Sequence, residues 1–160
     1  MAYNTIITQN KNPLLLTGGF KMVIPGAPNV SYFLKTWAMP TVSANETVIS
    51  RPQIDAYVPG SKLVFDTLST TMIVSEDMDN YQEIYNWLHL CVEGTQVNER
   101  NKTEDIAIQI LNSKNNPHRT VVFHNAFPIA LGSFEWNVED TDVTYATCEA
   151  VFRYDYFTFR

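Results

Sequence analysis

The sequence has little cysteine, fewer basic than acidic residues, and no long apolar run. Its two cysteines, Cys91 and Cys148, stand in apolar patterns and no signal peptide is recognised, so we expect two buried, reduced thiols, with a disulfide as the minor alternative. No apolar run approaches the roughly 20 residues of a membrane-spanning helix, and we expect no membrane insertion by this chain. Eleven Lys and Arg against 17 Asp and Glu give a net charge of −6, which argues against tight binding of nucleic-acid phosphates.

Sequence motifs of catalytic sites are also missing. There is no G-x-S-x-G, no P-loop, and no G-x-G-x-x-G after a strand. His89, His118 and His124 do not have the spacing of metal ligands. The sequence therefore predicts no catalytic residue, no cofactor and no metal centre, and it favours a protein that acts through its surface.

One segment, Ser75–Gly94, has the pattern of an amphipathic helix. Ser75 is a suitable N-cap, acidic residues follow it near the positive end of the helix dipole, and Gly94 suits the C′ position. Apolar residues recur every three or four positions and predict one buried stripe, formed by Met78, Tyr81, Tyr85, Leu88 and Val92 and widened by Ile84, Trp87 and Cys91.

The rest of the chain is dominated by strand patterns. The last strand is predicted to turn Ala146, Cys148, Ala150, Phe152 and Tyr154 toward the core. The strands Ile106–Leu111 and Thr120–Phe123 are predicted to form a hairpin. Because no helices separate parallel strands, we predict a mainly β fold: a single domain, 1–160, built as an antiparallel β-sandwich or half-barrel with one packed α-helix. The predicted strands are Phe20–Ile24, Ser31–Met39, Lys62–Val74, Ile106–Leu111, Thr120–Phe123, Ile129–Trp136 and Val143–Phe159.

Two segments interrupt these patterns. Residues 1–13 are polar with scattered apolar groups, and predict an irregular N-terminal arm. Residues 40–60 hold three prolines between short β-branched pieces, which predicts a projecting hairpin or loop. The apolar residues in or beside this segment are either ordinary core or an interface, and they are Trp37, Met39, Tyr57 and Val58.

Four features follow one another in a recognisable order. A strand ending in Met39-Pro40 precedes an Asn- and Pro-containing hairpin, and PGSKLVFDTLSTTMIVSEDMDNYQEIYNWL then runs from a strand into an acidic helix. IAIQILNSKNNPHRTVVFHNAFPIALGSFEW contains a hairpin, a Phe-x-x-x-x-Pro corner and a strand, and TYATCEAVFRYDYF is a closing strand. Over roughly residues 31–159 this order resembles the tail-tube family of contractile-tailed bacteriophages, most closely the tube domain of baseplate tube-initiator proteins from T-even-like phages.

The resemblance implies that six copies form a ring, that their inner sheets join into one ring-shaped β-barrel, and that the rings stack into a tube. It also implies that the hairpin at 44–58 and the loop at 95–105 contact neighbouring subunits or the adjacent ring. The interface residues expected on this basis are Trp37, Met39, Asn45, Ile49, Ile54, Tyr57, Val58, Asn98 and Arg100.

The implied function is that of a structural virion protein, not an enzyme, in a tail tube that conducts DNA into the host. Its implied partners are further copies of itself, tube or baseplate neighbours, the sheath protein, and the tape-measure protein and DNA in the lumen, which it does not bind tightly. It is expected in the virion tail, after assembly in the host cytoplasm.

Several alternatives remain open at this stage. The chain lacks the long domain that precedes the tube domain of initiators, so initiator, major tube protein and terminal ring are all candidates. An inner-tube protein of a bacterial contractile injection or type VI-like system shares the expected fold. A small β-barrel ligand-binding module or enzyme is a third alternative.

Overall fold

A computed structural model describes residues 19–93, 102–112, 114–136 and 144–160. Strands dominate these residues, as predicted. In chain order the elements are β1 (Phe20–Val23), α1 (Pro28–Tyr32), β2 (Leu34–Trp37), β3 (Val42–Ile49), β4 (Ala56–Phe65), β5 (Leu68–Ile73), α2 (Asp79–Glu93), β6 (Glu104–Leu111), β7 (Pro117–Leu131), β8 (Thr147–Arg153) and β9 (Tyr156–Phe159).

The described strands form one large sheet and one separate ribbon. The large sheet has the order β1-β6-β7-β8-β5-β2, with β9 also paired to β7, while β3 and β4 pair with each other. Every pairing is antiparallel, which confirms the predicted fold class. The predicted hairpin of Ile106–Leu111 with Thr120–Phe123 is also confirmed, since β6 pairs with β7 across these residues.

Strand β7 belongs to both halves of the large sheet. Its first half pairs with β6 and β9, and its second half pairs with β8. The strand bends between the halves at Asn125, which has a left-handed φ of 54° that asparagine tolerates better than most residues. Asp105 of β6 fixes this bend, because its carboxylate accepts the Asn125 N–H at 3.1 Å and contacts His124 Nδ1 at 3.0 Å.

The core lies on the inward faces of both halves of this sheet. Burial alternates along β6 and β8, so that Ile106, Ile108, Ala150 and Phe152 are fully buried. This confirms the core face predicted for the closing strand, of which Cys148 and Tyr154 are also buried. Each large apolar side chain removed from water in this way contributes about 1.5–3 kcal/mol.

Helix α2 closes the core from one side. It buries Ile84 and Trp87, and the Trp87 indole packs on Phe152 with ring centroids 6.0 Å apart. Trp87 Nε1 also donates a hydrogen bond of 2.8 Å to the backbone oxygen of Lys102, just before β6. Tyr85 and Val92, predicted to be in the buried stripe, are instead exposed, because the inward face centres on Ile84 and Trp87.

The predicted start of this helix is wrong. Helix α2 begins at Asp79 and not after Ser75, because Met78 has a left-handed φ of 58° that interrupts helical geometry. Ser75 does not cap the helix: its N–H and its hydroxyl lie 3.1 and 3.2 Å from Oδ1 of Asn80. The predicted cap at Gly94 lies outside the described residues.

Four predicted strands are each divided or shortened. Ser31–Met39 begins inside α1, since Pro28 at the first turn starts a helix, and only Leu34–Trp37 is strand. Lys62–Val74 breaks at Asp66, whose carboxylate accepts the N–H of Thr67 at 2.8 Å.

Strand Val143–Phe159 divides into β8 and β9, because the N–H of Asp155 donates to His124 O where β7 bends. The predicted strands Thr120–Phe123 and Ile129–Trp136 are not separate, because one strand, β7, runs through both segments. It ends at Leu131, so no strand covers 132–136. The N-terminal arm at 1–13 lies outside the described residues.

Candidate assembly surface

The ribbon of β3 and β4 has the most exposed apolar surface among the described elements. Every residue of β3 is exposed, and only Ala56, Gly60 and Phe65 of β4 are partly covered. Directly opposed residues such as Val48 and Tyr57 place their side chains on the same face of an antiparallel pair. A two-stranded ribbon with no further strand is marginal in water, so this segment needs another surface to cover it.

Both faces of the ribbon carry apolar side chains. One face has Val48 beside Tyr57, which is 65% exposed, and the other has Ile49 and Val58, each more than two-fifths exposed. A single exposed apolar side chain is common on protein surfaces, but a contiguous apolar patch on two faces is typical of an interaction site.

A bulge gives the ribbon its shape. Ala44 pairs with Leu63 and Glu46 pairs with Pro59, so Asn45 alone stands opposite three residues of β4. Gly60 is one of them, and a Cβ there would collide with the backbone carbonyl of Asn45. Only glycine permits this close approach of the two backbones.

The base of the ribbon is anchored in the body of the protein. Phe65 lies against the rings of Tyr154 and Phe157, with centroids 6.1 and 5.5 Å away. The N–H of Asp66 donates a 3.0 Å hydrogen bond to Thr41 O, which ties the two ends of the ribbon together. Among the described residues, the body of the protein therefore contacts the exposed ribbon strands at one end only.

The structure separates the expected interface residues into three groups. Asn45, Ile49, Ile54, Tyr57 and Val58 lie together on the exposed ribbon. Met39 is 45% exposed beside it, whereas Trp37 is half-buried against the core, its ring 6.5 Å from that of Phe20 in an edge-to-face contact. Asn98 and Arg100 lie outside the described residues.

Unpaired strand edges form a second feature of the surface. Within the described chain β1, β2 and β9 each pair on one side only. Each of them thus offers backbone N–H and C=O groups along its other edge, which favour pairing with another strand.

Three of the solved structures that the chain matches have the same TM-score. The chain is similar to a chain of the sheath/tube terminator of an extracellular contractile injection system, PVC, in the extended state, with TM-score 0.71 and 17% identity over 94% of this chain and 99% of that one. A chain of the PVC sheath–tube complex matches with TM-score 0.71 and 17% identity, covering 99% of both chains. The tube-terminating cap of the anti-feeding prophage matches with TM-score 0.71 and 16% identity over 97% and 98%.

The chain has the fold of a contractile-tail tube protein. This confirms the fold expected from the resemblance. No protein-family model matches the sequence. No curated protein matches it in sequence.

In this tube fold, the two cysteine thiols have shifted pKa values and lie on α2 and β8, outside the ribbon strands. Burial raises the pKa of the Cys148 thiol, the backbone of Gly132 lowers it in part, and the charge of Glu149 raises it. Burial raises the pKa of Cys91 as well, opposed by Lys102. Cys148 is buried as predicted, while Cys91 is only partly buried. These shifts reflect packing and supply no acid or base to the ribbon surface.

Metal sites and membrane-spanning helices are not found among the described residues. These residues contain no group of three or more His, Cys, Asp or Glu placed to hold a metal ion. No helix among them combines the length and apolarity needed to cross a membrane.

Sequence reasoning missed part of this surface. Val42, Val48, Leu63 and Val64 are exposed on the ribbon, but the sequence pattern assigns the last two to the long strand Lys62–Val74 and not to the projecting segment 40–60. The signal that was available is that apolar residues occupy both alternating positions of β4, which in a short segment flanked by prolines indicates an interface.

Proposed function

We propose that this chain is a structural subunit of the tube of a contractile tail, and that it acts by forming rings of six copies that stack into a tube. The observation that carries the proposal is the ribbon of β3 and β4, apolar on both faces and uncovered within the described chain. The tube fold supports it, because terminator and tube chains of contractile systems share this architecture.

A ring forms when each copy covers the apolar ribbon and the free strand edges that its neighbour leaves exposed. A ribbon that lies on the next subunit makes a heterologous contact, which closes into a ring when the rotation fits. Pairing of the free edges of the large sheet between copies would satisfy their backbone groups and produce the continuous inner barrel. Its further partners would be adjacent tube or baseplate rings and the sheath around the tube.

The proposal also covers the cargo of the tube and the position of this chain along it. A net charge of −6 suits a lumen through which DNA and a tape-measure protein pass without tight binding. In that case the subunit is assembled in the host cytoplasm and ends in a phage tail, as major tube protein or as a terminal or baseplate ring.

A second candidate is a tube or terminator subunit of a bacterial injection system that carries protein cargo. Two of the matched structures are described as parts of an extracellular contractile injection system, and its terminator and its sheath–tube complex match equally well. The two candidates share the ring and differ in what travels through it.

Negative-stain electron microscopy with light scattering of the purified protein tests the ring. We expect sixfold rings with a central hole, or hollow tubes, and a mass that is a multiple of six subunits. Long tubes would favour the major tube protein, and single rings a terminal or baseplate position. A protein that stays monomeric alone and when mixed with its own baseplate and sheath proteins would contradict the proposal.

A further inference from the structure

The tip of the ribbon joins an apolar side chain to a negative charge. Residues 50–55 connect β3 to β4, and Ile54 at this tip is 77% exposed. Asp55 follows it directly, and its Oδ1 accepts a 2.9 Å hydrogen bond from the Ser50 hydroxyl. Within the described chain its other oxygen has no hydrogen-bond or ion-pair partner.

An open cavity of about 390 Å³ on the body has the complementary character. It is lined by Ile110, His118, Arg119 and Phe159. Ile110 and Arg119 are directly opposed on β6 and β7, and Phe159 of β9 lies opposite Val121 of the same strand β7. The cavity thus combines apolar walls with a cation, and its volume lies at the lower end of ordinary binding pockets.

The guanidinium of Arg119 is available at this cavity. Arg119 is exposed, and both ion pairs formed within the described residues are made by other groups, His89 with Glu93 and His124 with Asp105. A partner that fills the cavity with an apolar side chain and brings a carboxylate beside it would use both features at once.

We propose that Ile54 and Asp55 of one copy occupy this cavity on a neighbouring copy. Ile54 packs on Ile110 and Phe159, and Asp55 lies beside Arg119. This inference rests on the proposed function, because it requires contact between copies of this chain, and it adds which surface the ribbon tip recognises. Since tip and cavity belong to every copy, each subunit is both donor and acceptor, as a heterologous ring contact demands.

The two parts of this contact contribute differently. A buried apolar anchor supplies most of the affinity of an interface, whereas an exposed ion pair supplies little. Neutralising Asp55 is therefore a weak test, but reversing its charge places two cations together, which is costly at an interface. We expect Asp55→Arg and Arg119→Asp each to raise the concentration for half-maximal assembly by about tenfold or more.

The decisive experiment mixes the two charge-reversed proteins. In the mixture, the arginine that D55R carries at its tip can pair with the carboxylate that R119D carries at its cavity. The unchanged Asp55 of the R119D protein can pair with the unchanged Arg119 of the D55R protein, whereas contacts within either variant remain repulsive. We expect each variant alone to assemble poorly, and the equimolar mixture to form rings of 1:1 composition by native mass spectrometry. The double variant D55R/R119D should form rings alone.

Matched controls are Asp77→Arg and Arg153→Asp, which make the same charge changes at exposed positions outside tip and cavity. They should assemble like the wild type, and melting temperatures should show that all variants are folded. If the wild type forms rings and the variants assemble as well as it does, or the mixture rescues nothing, this inference is overturned while the proposed function stands. If the wild type never associates, both fail.

Discussion

Asn80 shows how one side chain can join a strand to a helix. It is fully buried, and its Oδ1 lies within hydrogen-bond distance of the Ser75 N–H, the Ser75 hydroxyl and the Tyr81 N–H, while Nδ2 donates a 2.7 Å hydrogen bond to Ile73 O. The end of β5 and the start of α2 are thus held by a single amide. Sequence reasoning assigned the helix cap to Ser75, because a serine followed by acidic residues is typical of a helix start and nothing local marks Asn80 as buried.

Replacement of Asn80 by alanine should be strongly destabilising. Three partly buried backbone groups would lose their partner, and each costs about 1–3 kcal/mol when fully buried, so we expect the free energy of unfolding to fall by about 2–4 kcal/mol in urea denaturation. Asn86→Ala, at an exposed position of the same helix, is the control and should change it by less than about 0.5 kcal/mol. Equal effects of the two substitutions would refute the role of Asn80.

Tyr154 is the opposite case, a buried group without a partner. Its hydroxyl has no hydrogen bond among the described residues, although its ring packs 4.9 Å from that of Phe123. We expect Tyr154→Phe to leave the free energy of unfolding unchanged or to raise it by about 1 kcal/mol, because a desolvated hydroxyl is removed. Urea denaturation checks this, and a loss of stability would show that the hydroxyl is bonded.

The same residue gives a prediction for alkaline pH. Burial raises the pKa of Tyr154, and the charge of Asp66 adds to this, partly offset by Arg153. Because the folded-state pKa lies above the unfolded value of 10.0, ionisation of Tyr154 does not reduce the free energy of unfolding below that pH. The free energy of unfolding falls as the pH rises through the folded-state pKa. Tyr154→Phe should therefore lose less stability than the wild type between about pH 9 and 11, measured by denaturation at each pH. Parallel curves would contradict it.

At the scale of elements, regular pairing was predictable and the interruptions were not. Alternation of Ile106 and Ile108 identifies β6 and its buried face, because a period of two is itself the geometry of a strand. The break at Asp66 is not marked by a proline or glycine, so Lys62–Val74 has the pattern of one strand although the chain there leaves the ribbon and enters the large sheet. Such departures depend on contacts distant in sequence, such as the Asp66 N–H to Thr41 O bond.

The surface was predictable only in part for a similar reason. Tyr57 and Val58 could be chosen because aromatic and β-branched residues stand among prolines, and they do lie on the ribbon. Whether they act at an interface stays a prediction. Trp37 has the same composition signal, yet it packs against the core, and a single sequence does not distinguish the two environments.

Introducing one negative charge on the ribbon tests its role in assembly. Tyr57→Asp should leave the free energy of unfolding within about 0.5 kcal/mol of the wild type, because the side chain is exposed, and should prevent ring formation by placing a carboxylate in an apolar contact. Light scattering and electron microscopy report assembly. Tyr85→Asp on the exposed side of α2 is the comparison, and it should still form rings. Normal rings from Tyr57→Asp would remove the ribbon face around Tyr57 from the interface.

The bulge offers an independent test of the same element. Gly60→Ala introduces a Cβ that collides with Asn45, so the two strands must separate or shift register. We expect assembly to fail while the melting temperature changes little, since among the described residues the ribbon meets the body only at its base. Ser61→Ala, one position along, has no such collision and serves as control. If Gly60→Ala forms normal rings, the shape of the bulge does not matter for assembly.

At the scale of the whole molecule, two parts of unequal stability are joined. The large sheet with α2 has a continuous buried core, whereas the ribbon strands have almost none. In the free subunit we expect backbone amides of 42–49 and 56–64 to exchange with solvent much faster than those of β6, because local opening costs little there. In assembled rings the same amides should become protected, and hydrogen exchange with mass spectrometry compares the two states. Equal exchange in both would show that the ribbon stays uncovered.

The shared strand β7 has a mechanical consequence. Both halves of the large sheet are hydrogen-bonded to this one continuous backbone, so a load applied to one half reaches the other through covalent bonds and not through side-chain packing alone. Sliding one half past the other would require several of these hydrogen bonds to break together. A subunit built this way would resist shear as a single unit and yield abruptly, a useful property in any tube that is driven forward by force.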